Sequence, residues 1–217
     1  MKITDIALHH SGGIGADELA SSAHLTTFDI DRAHQGRWNF PSGIRKDPLD
    51  PEPWFVGYNF IIDPKNGSVT QCRAIGEETA AQQGHNFDTI SICVIGNYSR
   101  FKENQISVDP MRPNVEQILT SLMDDLIFGR TEKYAVLPGA ELALSVARIN
   151  PHRFYGQTTC NGTALPDSWG RNLEVGRISK KIAIIEQLVK AYAALLSLIS
   201  RRPAVGGIGD RECPGHI

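Results

Sequence analysis

Hydrophobic positions along the chain cluster in short segments that predict a β-sheet. Residues 3–9 form the first predicted strand, which ends in a pair of histidines followed by a Ser-Gly-Gly turn. Residues 55–62 form the second, and residues 68–73 return after a turn as its hairpin partner. Residues 89–96 are apolar on both faces, which is typical of a central strand covered by helices.

Helical periodicity predicts three helices between and after these strands. Residues 29–38 predict a short helix opened by an Asp cap, and residues 114–129 a longer one with Asn114 as N-cap and Gly129 at its end. Apolar residues recur at helical spacing through residues 179–200, on a stripe that could cover the sheet or pair with another subunit. Residues 140–148 fit either a helix or a helix–strand junction.

This order of elements predicts an α/β fold: a single domain with a mixed central β-sheet, helices on both faces and an added C-terminal helix. We assign residues 1–170 to the main domain and residues 171–217 to an appended helix and tail. The proline-rich residues 39–53 predict a loop at the rim of a site, and the Gly- and Pro-containing tail from residue 201 is expected to be loosely ordered.

The composition and charge of the chain argue mainly against nucleic-acid binding and a membrane-spanning helix. A formal charge of −2 and a pI near 6.4 give no reason to expect nucleic-acid binding. No uninterrupted apolar run approaches the roughly 20 residues of a membrane-spanning helix, so no transmembrane segment is predicted. The first ten residues lack the apolar core and cleavage site of a signal peptide. The sequence leaves the oligomeric state open.

The four cysteines match neither a CxxC metal knuckle nor a dense disulfide framework. Cys93 lies in an apolar run and is interpreted as a small core residue, and Cys213, which lacks a His eight residues upstream, is interpreted as part of the tail. Cys160 differs, because it stands in a polar loop eight residues after His152.

Catalytic zinc takes three protein ligands and keeps a fourth position open, and His and Cys suit it. The sequence offers His9 at a strand end, with His152 and Cys160 in the loop HRFYGQTTC. Alone, this spacing is weak, because a histidine at a strand end more often has a structural role.

A set of longer sequence strings favours the metal-ligand interpretation of these three residues. Together, over roughly residues 3–165, they resemble the type 2 N-acetylmuramoyl-L-alanine amidases, which include phage amidase endolysins and peptidoglycan recognition proteins. The strings occur in this order: IALHHS from Ile6, VGYNFII from Val56, GHN from Gly84, TISIC from Thr89, VIGNY from Val94, His152-Arg153 and Thr158-Thr159-Cys160.

The resemblance implies one Zn²⁺ held by His9, His152 and Cys160. His10 competes with His9, although adjacent strand residues point to opposite faces and cannot both ligate easily. Relatives commonly follow the cysteine with Pro-Gly, whereas Asn161-Gly162 follows it here.

The resemblance also implies further site residues. Tyr58 matches the catalytic tyrosine, a hydrogen-bond donor to the developing oxyanion, and Thr158 matches a residue that positions the nucleophile. His34 and Asn86 match substrate-groove positions, although Trp38 near His34 could equally be a packing residue. Ala81 replaces a histidine common in relatives, so the groove wall must differ.

The implied activity is hydrolysis of the amide between N-acetylmuramic acid and L-alanine in peptidoglycan. One alternative is a non-catalytic peptidoglycan-binding module, and another is an interaction protein built around residues 179–200. A third is a cytosolic muropeptide-recycling amidase, whose relatives carry Asp and Glu where Cys160 and Tyr58 stand. A phage or prophage lysin, cytoplasmic until a membrane pore releases it, would explain the missing signal peptide.

Overall fold

A computed structural model describes residues 1–12, 19–47, 49–100, 107–156, 160 and 165–200. The chain divides into two compact units, Met1–Arg177 and Ile178–Ile217. The first unit contains the sheet, and the described part of the second is helical.

The central sheet has five strands in the order β6-β5-β7-β2-β9. All are parallel to their neighbours except β6, which forms an antiparallel hairpin with β5, so the predicted mixed sheet is confirmed. The strands are β2 (Asp5–His10), β5 (Phe60–Asp63), β6 (Ser68–Gln71), β7 (Thr89–Val94) and β9 (Ile149–Pro151).

Two pairs of short strands lie outside this sheet. Residues Lys2–Ile3 form β1, which separates from β2 and pairs with β8 (Glu141–Leu142). The predicted loop 39–53 contains a small antiparallel hairpin of β3 (Arg45–Asp47) and β4 (Asp50–Pro53). The undecided segment 140–148 is β8 followed by a 3-10 helix, Val146–Arg148.

The strand predicted over residues 55–62 begins only at Phe60. Backbone groups before it are satisfied away from the sheet: the Phe55 N–H donates to Asp31 Oδ1 and the Gly57 N–H donates to His34 Nδ1. Because buried N–H groups need partners but not sheet partners, the chain can bend over residues 57–59 before β5 begins. Tyr58 therefore lies in the segment that precedes β5 and not in the strand itself.

The two helices of the main unit start differently from the prediction. Helix α1 (Thr27–Trp38) is capped by Thr26, and Asp29 completes the capping box from the third helical position instead of acting as the cap. Helix α2 (Pro113–Ile127) has Arg112 at its N-cap, because Pro113, which lacks an N–H, takes the first turn. Asn114 is therefore not the cap. Gly129, with φ of +67°, ends the helical pattern as expected.

Helices cover both faces of the sheet, as predicted. On one face, the larger core packs α2 against side chains of β2, β5 and β7. On the other, a smaller core contains Ile30 of α1 together with Trp54, Ile61 and Cys93. Cys93 is fully buried there, in agreement with its interpretation as a core residue.

Helix α3 (Trp169–Ser200) begins at Trp169 and not near residue 179. Two glycines in its first turns, Gly170 and Gly176, obscure the helical signal, because glycine is a poor helix former. By length and composition, its Trp169–Ile199 stretch is the one helix among the described residues that could cross a membrane. The sequence prediction of no transmembrane segment rested on unbroken apolar runs, which Glu186 and Lys190 interrupt here.

Close packing explains Gly170. A Cβ at this position would lie 2.4 Å from Leu8 Cδ1 and 2.8 Å from Ile149 Cγ2, whereas a Cβ on Gly176 would meet nothing within 4 Å. We expect Gly170→Ala to lower the free energy of unfolding by about 1–3 kcal/mol through overpacking of the core.

The matched control is Gly176→Ala, which should raise the unfolding free energy by about 0.5–1 kcal/mol by removing glycine from a helix interior. Urea unfolding followed by circular dichroism measures both. Equal effects of the two substitutions would contradict the close approach of α3 to β2 and β9.

Candidate metal centre

The carboxyl end of the sheet brings together the three predicted ligands. His9 is the penultimate residue of β2, His152 directly follows β9, and Cys160 comes from the loop beyond it. One ligand atom from each residue lies within 4.8 Å of the other two. His9 Nδ1 and Cys160 Sγ are 3.5 Å apart, and the two imidazole ring centroids are 4.4 Å apart.

One of these separations is that of two ligands of a tetrahedral cation. Zinc–nitrogen bonds near 2.0 Å and zinc–sulfur bonds near 2.3 Å imply ligand atoms roughly 3.3–3.6 Å apart. The pair formed by His9 Nδ1 and Cys160 Sγ already has this spacing. His152 Nδ1 is buried and has no hydrogen-bond partner among the described residues, as expected of an atom that faces a cation. The donor set therefore fits zinc.

Burial keeps both imidazoles in the form that binds a metal. Desolvation, with the neighbouring imidazoles of His152, His10 and His34, lowers the pKa of His9 well below 6.5. Desolvation also lowers the pKa of His152. Both rings are therefore neutral near pH 7, and neutral imidazole is the ligand form.

His10 points to the other face of β2 and takes no part in the cluster. Its Nδ1 accepts a hydrogen bond of 3.0 Å from the Tyr98 N–H, and its ring stacks on that of Tyr98 at 6.2 Å. Burial lowers the pKa of His10 to about 4. Of the two adjacent histidines, the structure thus places His9 with His152 and Cys160.

Tyr58 lies beside the three ligands. Its ring centroid is 4.8 Å from that of His9. Desolvation, with the nearby Cys93 and Cys160 thiols, raises the pKa of Tyr58 well above 10. The phenol therefore keeps its proton and can act as a hydrogen-bond donor but not as a base.

His34 supports the segment that carries Tyr58. Its Nδ1 accepts a hydrogen bond of 2.9 Å from the Gly57 N–H, and its ring lies 5.4 Å from the Tyr58 ring and 4.4 Å from the Trp38 ring. A Cβ on Gly57 would lie 2.9 Å from the Ala80 carbonyl oxygen, so only glycine allows this approach. The predicted contact of His34 with substrate stays a prediction.

Asn86 organises the loop that precedes β7. Its Oδ1 accepts from the N–H groups of Ala81 at 3.1 Å and Gln82 at 2.8 Å. These bonds fix the backbone of Gln82, and the predicted substrate role of Asn86 stays a prediction. Thr158 lies outside the described residues.

Sequence reasoning missed Gln82, which touches the candidate centre directly. Gln82 is fully buried, and its Nε2 lies 2.8 Å from His9 Nε2. The Ser91 hydroxyl donates to Gln82 Oε1 at 2.9 Å from the adjacent strand β7. The only sequence signal was a serine inside the otherwise apolar run 89–96, at a position that no water reaches.

The Gln82 carboxamide can serve either tautomer of His9. A cation on Nδ1 requires the imidazole proton to be on Nε2, which must then donate to a carbonyl oxygen. Rotation of the carboxamide by about 180° supplies that oxygen, and the Ser91 hydroxyl then accepts from the amide N–H instead of donating. The pair formed by Gln82 and Ser91 thus fixes the outer face of His9 while leaving Nδ1 available.

Arg73, also missed, fastens the loops behind the centre. Its guanidinium is fully buried, donates from Nε to the Val56 carbonyl at 2.7 Å and pairs with Glu77 at 3.1 Å. It also donates to the carbonyl of Phe40, and Glu77 accepts from the Gly43 N–H. Because a buried charge must be paired, Arg73 and its partners hold in place the segment that leads to Tyr58.

No protein-family model matches the sequence, and no curated protein matches it. Among solved structures, the chain is similar to the Ph2119 endolysin from Thermus scotoductus MAT2119 bacteriophage Ph2119. Their identity is 18% and the TM-score is 0.52, over 80% of this chain and 86% of that chain.

Two further structures are similar at lower scores. The N-acetylmuramoyl-L-alanine amidase LysC from Clostridium intestinale URNW is 19% identical, with a TM-score of 0.49 over 76% of this chain and 79% of that chain. The Drosophila peptidoglycan recognition protein SD is 17% identical, with a TM-score of 0.46 over 75% and 76% of the respective chains.

The fold is therefore that of an α/β protein with a mixed sheet and a His-His-Cys cluster at the carboxyl end of its parallel strands. More particularly, it is the fold of the phage endolysin. The resemblance predicted from the sequence is confirmed as a likeness of fold.

We expect Gln82→Ala to weaken zinc binding by about 10- to 100-fold, because His9 loses the partner that fixes its tautomer and ring orientation. Gln82→Glu should retain the affinity within a few-fold, since a carboxylate oxygen still accepts from His9 Nε2. Competition with a fluorescent zinc chelator measures both. Equal affinities of the wild type and Gln82→Ala would exclude this role for Gln82.

Proposed function

We propose that this protein is a zinc-dependent amidase that hydrolyses the amide between N-acetylmuramic acid and L-alanine in peptidoglycan. The observation that carries the proposal is the cluster of His9, His152 and Cys160 with the protonated Tyr58 beside it. The likeness of fold to a phage endolysin supports the same class of substrate.

When bound, zinc would supply a water of lowered pKa, near 7, and would polarise the scissile carbonyl. The neutral rings of His9 and His152 and the Cys160 sulfur would hold the ion, and Gln82 would orient His9. His9 belongs to β2, His152 directly follows β9, and Gln82 bonds His9, which favours preorganised imidazoles.

Tyr58 would stabilise the charge that develops on the carbonyl oxygen. Its hydroxyl is protonated because the surrounding core raises its pKa, so it can donate to an oxyanion without first losing a proton. Thr158 would orient the attacking water through its hydroxyl, and His34 and Asn86 would line the substrate groove, as the family resemblance implies.

Two alternatives make different demands on the same residues. A peptidoglycan-binding module needs no complete set of metal ligands. The metal set of recycling amidases resembles His/His/Asp, with a Glu where Tyr58 stands. This chain keeps both Cys160 and Tyr58, which favours the hydrolytic enzyme of the lysin branch. We further propose that it acts as a phage or prophage lysin, cytoplasmic until release.

Mass spectrometry of products from purified peptidoglycan tests the reaction. Free stem peptides that begin with L-alanine are expected, together with about one zinc per chain by elemental analysis. Cys160→Ala should lose both zinc and products, whereas Cys72→Ala, a matched change of a buried thiol outside the cluster, should keep both. Cleaved glycan strands or cross-bridges with intact lactyl amides would reject the amidase.

Tyr58→Phe should lower the hydrolysis rate by about 100- to 1000-fold while zinc content stays unchanged, because one oxyanion donor is lost. Tyr134→Phe is the control, since it removes a hydroxyl that bonds Asp125 away from the cluster. Release of stem peptides over time measures both. A Tyr58→Phe protein as fast as Tyr134→Phe would remove Tyr58 from the mechanism.

A further inference from the structure

The second compact unit exposes an apolar helical surface for which the proposed reaction has no use. Beyond Ile178, apolar residues recur at alternating intervals of three and four along α3, for three heptads. From 48% to 64% of each of the following side chains is exposed: Ile182, Ile185, Val189, Tyr192, Leu196 and Ile199. This set is called the heptad stripe.

A contiguous apolar surface of this kind requires a covering partner. The opposite side of the helix is different, because polar or small residues recur there with the same alternating spacing. That polar stripe consists of Lys180, Ala183, Gln187, Lys190, Ala194 and Ser197. Ile184 and Leu198, which are also exposed, lie beside the polar stripe, so this side of the helix is mixed, whereas the heptad stripe is wholly apolar.

Lys190 and the spacing of the heptad stripe favour a protein partner over a lipid bilayer. A spanning helix meets hydrocarbon all around its circumference, and Lys190 at the centre of this segment would lie at the costliest depth. A repeat of 3.5 residues is instead the spacing that keeps a seam facing another helix as two helices supercoil.

Charge complementarity identifies the partner as the same helix in parallel. In the heptad register, Lys181 and Glu186 flank the heptad stripe five residues apart. That is the interval at which flanking residues of two parallel, in-register helices meet. In an antiparallel pair, Lys181 would face Leu188 or Leu195 and form no ion pair.

We propose that residues 178–199 assemble with the same segment of other copies into a parallel coiled coil. With Ile178 included, isoleucine or valine fills five of the seven seam positions, and Tyr192 and Leu196 fill the other two. β-Branched residues at both seam positions favour three or more strands over two. The exposed Leu188 and Leu195 beside the stripe would be covered in such an assembly.

Sedimentation equilibrium of the full-length protein in buffer without detergent tests the proposal. The expected mass is about three times the 23.8 kDa chain. Ile185→Asp should sediment as a single chain, because it places a charge in the seam. Gln187→Asp, the matched change on the polar stripe, should keep the wild-type mass.

A charge exchange tests the parallel register. Glu186→Lys should weaken association by at least about fivefold through repulsion from Lys181, and Lys181→Glu combined with Glu186→Lys should restore it. Two results would overturn the proposal. One is a single-chain mass for the wild type, and the other is flotation of the wild type with phosphatidylcholine–phosphatidylglycerol vesicles that Ile185→Asp abolishes while the mass stays that of one chain.

Discussion

Parallel pairing of β2 with β9 is the constraint on which the candidate centre depends. The register sets Leu8 opposite Pro151, and a histidine directly follows each of these two residues. Two residues more than 140 positions apart in sequence thereby meet at one sheet edge, without any contribution from the imidazoles themselves. Because side chains alternate along a strand, the same register sends His10 to the opposite face, where the Tyr98 N–H holds it. The sheet thus selects which histidine can face Cys160.

Around this edge, nearly every buried polar group described has a partner within the fold. Gln82 bonds both His9 and Ser91, and Arg73 is bound by Glu77 and backbone carbonyls. His152 Nδ1 is an exception, because it is buried without a hydrogen-bond partner among the described residues. Leaving a buried acceptor unsatisfied costs about 1–3 kcal/mol. A cation between His152, His9 and Cys160 would remove that cost. Hydrogen bonds within the fold therefore fix His9, and His152 Nδ1 is the buried atom of this cluster without a partner among the described residues.

The sequence predicted the sheet, both covering helices and the three clustered residues, since strand periodicity and the ordered motifs are local signals. It misjudged features that depend on tertiary contact. The predicted strand does not begin at residue 55, because Asp31 and His34 accept hydrogen bonds from N–H groups of that segment. Helix α3 begins earlier than predicted, because Gly170 fits against Leu8. Gln82 could not be assigned, since its importance comes from a contact with His9 across 73 positions. Secondary-structure propensity depends on the local sequence alone. The start of β5, the start of α3 and the role of Gln82 depend instead on contacts with distant parts of the chain.

The cluster in the first unit and the heptad stripe in the second rest on separate observations, yet they have a joint consequence for a polymeric substrate. An assembly of identical chains carries several copies of one site. On the proposed substrate, once a first site holds a strand, a second site binds at an effective concentration set by the span between the two sites and not by the free concentration of enzyme. Residence on the polymer would lengthen without any new contact in the cluster of His9, His152 and Cys160. Self-association through residues 178–199 would then retain the protein on a polymer through multivalency.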